Sequence, residues 1–196
     1  GPTTWESLTD HVLSSAQTHL GAGGLLIGHS LGGLLALLAA LRDPPSVDRL
    51  ALLEPAVAPL AALARAAGAR YQRDVVEKDR DRFTNWTGAF RRLNDPDTYP
   101  QASLDLYLRA RREGDPTIVG SLLTTMPELY PLPFRSLKTP TLLLRGAKSG
   151  WRAAIGGVSL ATLIPSARSQ VIPNAAHWLV GENDSCVADA LVGFSG

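Results

Sequence analysis

A chain of 196 residues, 45% apolar and 19% charged, can fold as one domain with a sizeable core. Its formal net charge of +1 excludes a field strong enough to recruit nucleic acid or an anionic membrane. A single cysteine, Cys186, excludes an internal disulfide framework and fits a reducing, cytoplasmic location.

Gly1-Pro2 reads as a tag remnant or a native loop, and no leader pattern is expected at the N-terminus. Residues 4–20 read as an amphipathic helix. Trp5, Leu8, Val12, Leu13 and Ala16 recur at helical spacing, and Thr3 or Thr4 caps it. His11 and His19 fall on its solvated face. Gly21-Ala22-Gly23-Gly24 ends it, and residues 25–28 read as a central strand buried on both faces. Residues 31–42 follow as a buried helix, stopped by Asp43-Pro44-Pro45. The apolar run at 34–41 is far too short to span a bilayer. Residues 47–53 form the next strand, with Glu54-Pro55 at its end. A connection of this length predicts a parallel strand pair with a right-handed crossover.

Residues 56–135 interrupt the alternation. Helical stretches at 60–68, 71–86 and 104–113 are divided by turn clusters such as Asn94-Asp95-Pro96-Asp97 and Gly114-Asp115-Pro116. Such a length is too great for a structureless loop. Residues 58–135 are therefore assigned to a helical insertion, and residues 1–57 and 136–196 to an α/β core. The arginines of the insertion alternate with acids and read mostly as solvated helix faces. Beyond the insertion come a strand at 141–145, a helix at 151–163 weakened by Gly156-Gly157, and a last strand at 169–172. A loop at 173–177 and a closing helix at 185–194 complete the chain. The fold class is α/β, a mostly parallel sheet flanked by helices. No G-x-G-x-x-G opens a helix, no P-loop occurs and no metal-ligand spacing is found, so no cofactor and no metal are expected.

The junction of the first strand and second helix reads Gly28-His29-Ser30-Leu31-Gly32-Gly33. Strand, small-x-Ser-x-small, helix is the pattern of a nucleophile elbow. Its tight turn requires Gly28 and Gly32 to lack bulk and forces Ser30 into a strained conformation with its hydroxyl exposed. The competing reading is a Gly-rich turn with a capping serine. A nucleophilic serine needs a general base. Of four histidines, His177 is the candidate, because it lies in a loop after the last core strand. His29 adjoins Ser30, but neighbours in an elbow point in different directions.

The GHSLGG segment and the element order after it resemble the α/β-hydrolase family. That resemblance implies an α/β-hydrolase fold with residues 58–135 as a cap over the active site. It also implies Ser30 as nucleophile and the Leu31 amide as an oxyanion-hole donor. Pro173-Asn174-Ala175-Ala176-His177-Trp178 resembles the family's GAGH loop, with Asn174-Ala175 departing from Gly-Ala. The triad acid usually follows the strand at 141–145, yet Gly146-Ala147-Lys148-Ser149-Gly150-Trp151 holds no carboxylate. Glu54 is the alternative, since some family members supply the acid there and LLEP looks like such a segment. A structural glutamate at a strand end is the competing reading. Glu182 and Asp184 stand too near His177 in sequence to orient it, and suit the start of the closing helix.

The second oxyanion donor of the family comes from a loop after an early strand, often with an HG motif. No such strand precedes Thr4. The resemblance therefore covers the later two-thirds or so of a family member. An N-terminal segment outside this sequence is the favoured explanation, over strands from another chain or a reduced relative. The expected function is a serine hydrolase that cleaves an ester, thioester, lactone or related carbonyl through an acyl-enzyme. Serine in place of aspartate at the elbow argues against dehalogenase or epoxide-hydrolase chemistry. Trp86, Phe90, Tyr107, Leu122, Leu123, Met126 and Leu129 in the insertion suggest a small-molecule substrate with an apolar group. The alternative is a non-catalytic relative that binds a ligand or protein partner in the same pocket.

Overall fold

The protein is described by a computed structural model over residues 3–21, 24–57, 116–149 and 160–196, with isolated positions at 65, 66, 69, 105, 109 and 113. Its first helix, α1 (Trp5–His19), begins at a capping box. Thr4 Oγ1 accepts from the Ser7 amide and Ser7 Oγ accepts from the Thr4 amide. The buried stripe is Trp5, Thr9, Leu13 and Ala16, while His11 and His19 are exposed, as the periodicity implies.

Among the described residues four strands follow, β1 (Leu25–His29), β2 (Arg49–Leu53), β3 (Thr141–Gly146) and β4 (Ala167–Ile172). They form one parallel sheet in the order β1-β2-β3-β4. Helix α2 (Leu31–Arg42) connects β1 to β2. Residues alternate between the two faces of the sheet. Leu50, Leu52 and Leu143 pack with α1 and α2, alongside Leu34 and Leu37. Ala51, Leu53, Leu142 and Leu144 pack on the other face with the closing helix α6 (Asp184–Ser195). Strands covered on both faces are continuously apolar, which explains RLALL and TLLLRG as sequence runs. Each fully buried leucine contributes about 1.5–3 kcal/mol of apolar burial.

Strand β1 leads directly into the turn at Ser30. Among the described residues it pairs with β2 alone, and Ile27 is 47% exposed. It stands at the end of the described sheet, with Leu25 and Leu26 half-buried. The apolar run reflects side chains shared between two faces, Leu26 toward α2 and Leu25 toward α6.

A helix between 113 and 131, which the periodicity left unassigned, is α3 (Pro116–Thr125). Proline at a helix start fits, because the missing N–H is one that a helix leaves unbonded. The Trp5 Nε1–H donates to the Leu122 carbonyl at 3.0 Å and fastens α3 to α1. Leu122 and Met126 are buried in the core beside Trp5, so these two apolar residues serve packing. Apart from the isolated positions 65, 66, 105, 109 and 113, the helices expected at 60–68, 71–86 and 104–113 lie outside the described residues, as do Trp86, Phe90 and Tyr107. Of the helix expected at 151–163, the described part is α4 (Leu160–Leu163). After β4 comes a short helix, α5 (Leu179–Glu182), and then α6. Cys186 is half-buried against the apolar cluster under α6. No helix of the described residues is long and apolar enough to cross a membrane.

Candidate active site

All four strands are parallel, so their C-terminal ends lie at one edge of the sheet. In open α/β sheets this is where ligands bind. Three chain segments leave that edge with the candidate residues. Ser30 sits between β1 and α2, Glu54 follows β2, and His177 lies between β4 and α5.

Ser30 has φ 52 and ψ −118, a backbone conformation that side chains rarely adopt. Its own peptide groups hold it there. The Ser30 amide donates to the Leu53 carbonyl at 3.0 Å, and its carbonyl accepts from the Ala56 and Gly33 amides at 2.8 and 3.0 Å. Although Ser30 occupies the N-cap of α2, its side chain caps nothing. This removes the capping-serine reading. The hydroxyl instead stands 3.0 Å from His177 Nε2. Leu31 is the first residue of α2, where an N–H has no acceptor within the helix.

The glycine requirements of the turn are partly redistributed. A Cβ on Gly28 would come within 2.5 Å of the Gly32 carbonyl oxygen. On Gly33 it would come within 2.9 Å of Pro55. A Cβ on Gly32 meets nothing within 4 Å. The positions that must lack bulk are therefore Gly28 and Gly33, not Gly32, because the Gly32 side-chain position faces away from the strand.

Glu54 also has a positive φ, 42, and its carboxyl is nearly fully buried. Its amide donates to the Leu144 carbonyl at 3.0 Å, which ties the turn after β2 to β3. Both carboxyl oxygens accept hydrogen bonds. Oε1 accepts from the Gly146 amide and Oε2 from the Ser149 hydroxyl, each at 2.8 Å. Two donors and an adjacent imidazole are what a buried carboxylate needs. His177 Nδ1 lies 3.8 Å from Oε2. That is ion-pair distance and too long for a hydrogen bond, so Nδ1 is buried with no hydrogen-bond partner among the described residues.

The loop at 173–178 carries His177 over the end of β3. Asn174 has φ 58, which explains its departure from glycine, since asparagine is a tolerated residue in that region. Lys148 donates its amide to the Ala175 carbonyl at 2.8 Å, and Asn183 Nδ2 donates to the Pro173 carbonyl at 2.9 Å. The Glu182 carboxylate accepts from the Ala176 amide. Glu182 thus holds the loop rather than facing His177 Nδ1. Asp184 lies in the first turn of α6, which Asn183 caps.

Sequence reasoning placed Ser30, His177 and Glu54, and the fold brings all three together. It missed Gly146 and Ser149 as the donors to Glu54. The signal was available in one form, because Ser149 falls where the loop after β3 was searched for a carboxylate. Gly146 has a second constraint. A Cβ there would lie 2.1 Å from the Ala176 carbonyl oxygen and 2.4 Å from that of Ala175. Gly146→Ala is therefore expected to lower stability by about 1–3 kcal/mol and to displace the His177 loop. Thermal unfolding read alongside turnover checks this. Unchanged stability and turnover would show that the loop yields without cost.

No group of three or more metal-ligating side chains occurs among the described residues. Comparison with known proteins agrees with this architecture. The structure of MenH from S. aureus superposes with a TM-score of 0.76 at 19% identity, covering 97% of this chain and 74% of that one. A thermophilic esterase from Thermogutta terrifontis gives a TM-score of 0.69 at 23% identity, covering 99% of this chain and 72% of that one. Est816, described as an N-acyl homoserine lactone degrading enzyme, gives 0.68 at 20% identity, with 97% and 74% covered. These likenesses show the fold. The family described as the alpha/beta hydrolase fold matches residues 3–184, and this chain belongs to it.

Proposed function

We propose that the protein is a serine hydrolase acting on an ester, thioester, lactone or related small-molecule carbonyl, with Ser30 as nucleophile. The observation that carries this reading is the 3.0 Å contact between the Ser30 hydroxyl and His177 Nε2, made by a serine held at φ 52. In the proposed mechanism, Nε2 takes the hydroxyl proton as Ser30 Oγ attacks the carbonyl carbon. The tetrahedral oxyanion meets the Leu31 amide at the start of α2. His177 then gives its proton to the leaving group, and an acyl-enzyme remains on Ser30. Water, deprotonated by His177, attacks that acyl group and frees the acid product. Glu54 stabilises the imidazolium formed in each half of the cycle. The part of the insertion that precedes α3 sets the acyl group accepted.

The distant neighbours whose names describe an esterase and a lactone-degrading enzyme support this class of reaction. A series of p-nitrophenyl acyl esters of rising chain length tests it. Turnover above buffer, lost in Ser30→Ala, is the expected result. No turnover, or equal turnover in Ser30→Ala, contradicts it.

A further inference from the structure

The elbow histidine was set aside as a base because it points away from Ser30. Its ring nevertheless reaches the same loop. His29 Nε2 lies 2.8 Å from the backbone carbonyl oxygen of His177. A carbonyl oxygen only accepts, so Nε2 must carry the proton. The bond therefore fixes His29 as the Nε2–H tautomer whenever its ring is neutral. The two imidazole rings pack at 4.9 Å between centroids, tilted by 47°.

This places His29 at a mechanically significant point. The Ser30–His177 contact joins two segments, the elbow after β1 and the loop at 173–178. Glu182, Asn183 and Lys148 hold the loop at residues 173–176, from the α5–α6 and β3 sides. The bond from His29 runs instead from β1 itself to residue 177. It spans the same two segments as the catalytic contact, one residue from Ser30 on one side and on His177 itself on the other. A shift of the loop away from the elbow lengthens both bonds together.

We propose that His29 is a positioning residue that locks the His177 loop to the elbow and so sets the Ser30 Oγ to His177 Nε2 distance. It acts through His177, by way of that residue's backbone carbonyl. This inference rests on the serine-hydrolase reading for its effect on rate, but the lock itself is independent of activity. Losing the lock should resemble a displacement of about 1 Å at the reacting atoms, which costs about 10²-fold in rate.

The test uses three forms of the protein. His29→Leu removes both donor and ring. His29→Gln removes the ring and keeps an N–H donor at similar reach. His29→Leu is expected to lose about 10²-fold in kcat with little change in KM. His29→Gln is expected to recover most of that loss. Equal turnover in His29→Leu and wild type overturns the proposal. So does an equal loss in His29→Leu and His29→Gln, which would assign the effect to the ring. Nitrogen-15 spectra of the wild-type histidines give a second reading that needs no substrate and no variant, and with four histidines in the chain the signals are separable. At a pH where the imidazoles are neutral, His29 should be the Nε2–H tautomer. The Nδ1–H tautomer overturns the lock. A wild-type protein with no hydrolase activity but with His29 as the Nε2–H tautomer would count against the proposed function alone and leave the lock standing.

Discussion

Glu54→Gln is expected to lower kcat by about 10³–10⁴-fold while leaving the fold and KM close to wild type. Two effects add to this loss. The first is electrostatic. Glu54 Oε2 lies 3.8 Å from His177 Nδ1. Opposite charges at about 4 Å, in an effective dielectric near 20, attract by about 4 kcal/mol, which is about a thousandfold in rate. Glutamine cannot supply that attraction to the imidazolium. The second is the tautomer. Among the described residues Nδ1 is buried without a hydrogen-bond partner, so the carboxylate beside it is the group that favours a proton there. An amide N–H turned toward Nδ1 would favour the proton on Nε2, where it blocks transfer from Ser30. The glutamine Oε1 can still accept from the Gly146 amide, which is why the fold should hold. Turnover, KM and thermal unfolding measured on one preparation separate these effects. Unchanged turnover would make Glu54 a structural residue of the β2 turn and leave the imidazole without an acid.

Larger still is the expected effect of removing either end of the Ser30–His177 pair. Ser30→Ala and His177→Ala should each lose roughly 10⁶-fold in kcat. The double variant should lose little more than either alone, because the two side chains act as one unit. Neither substitution should cost much stability. The Ser30 hydroxyl caps no helix end, and the His177 ring is 13% exposed, at the crevice rather than in the core. A double variant with multiplied losses would show that the two residues act independently, against an acyl-transfer pair.

The elbow was legible because its constraint is local. A strained serine between an apolar strand and an apolar helix leaves its mark within a few residues. His177 was legible because it follows the last core strand. Glu54 was legible through the family resemblance, in which some members supply the acid after that strand, once the loop after β3 proved free of carboxylates. What local sequence could not show is what arrives from afar. Gly146 and Ser149 meet Glu54 across more than ninety residues of chain. The His29 ring reaches the His177 carbonyl across 148 residues. No periodicity encodes such contacts. The Gly32 error has the same origin, since whether a glycine is crowded depends on which side of the turn the neighbouring strand passes. Asn174 shows the reverse, a departure in the sequence that the backbone explains.

The central claim is that the Ser30 hydroxyl is an activated nucleophile. Reaction of the intact protein with a fluorophosphonate, followed by mass measurement of the whole chain and of its peptides, tests this most directly. The expected result is one adduct per chain, on the peptide that contains Ser30, absent in Ser30→Ala and greatly slowed in His177→Ala. A folded wild-type protein that takes up no probe, or takes it up on another residue, would contradict it.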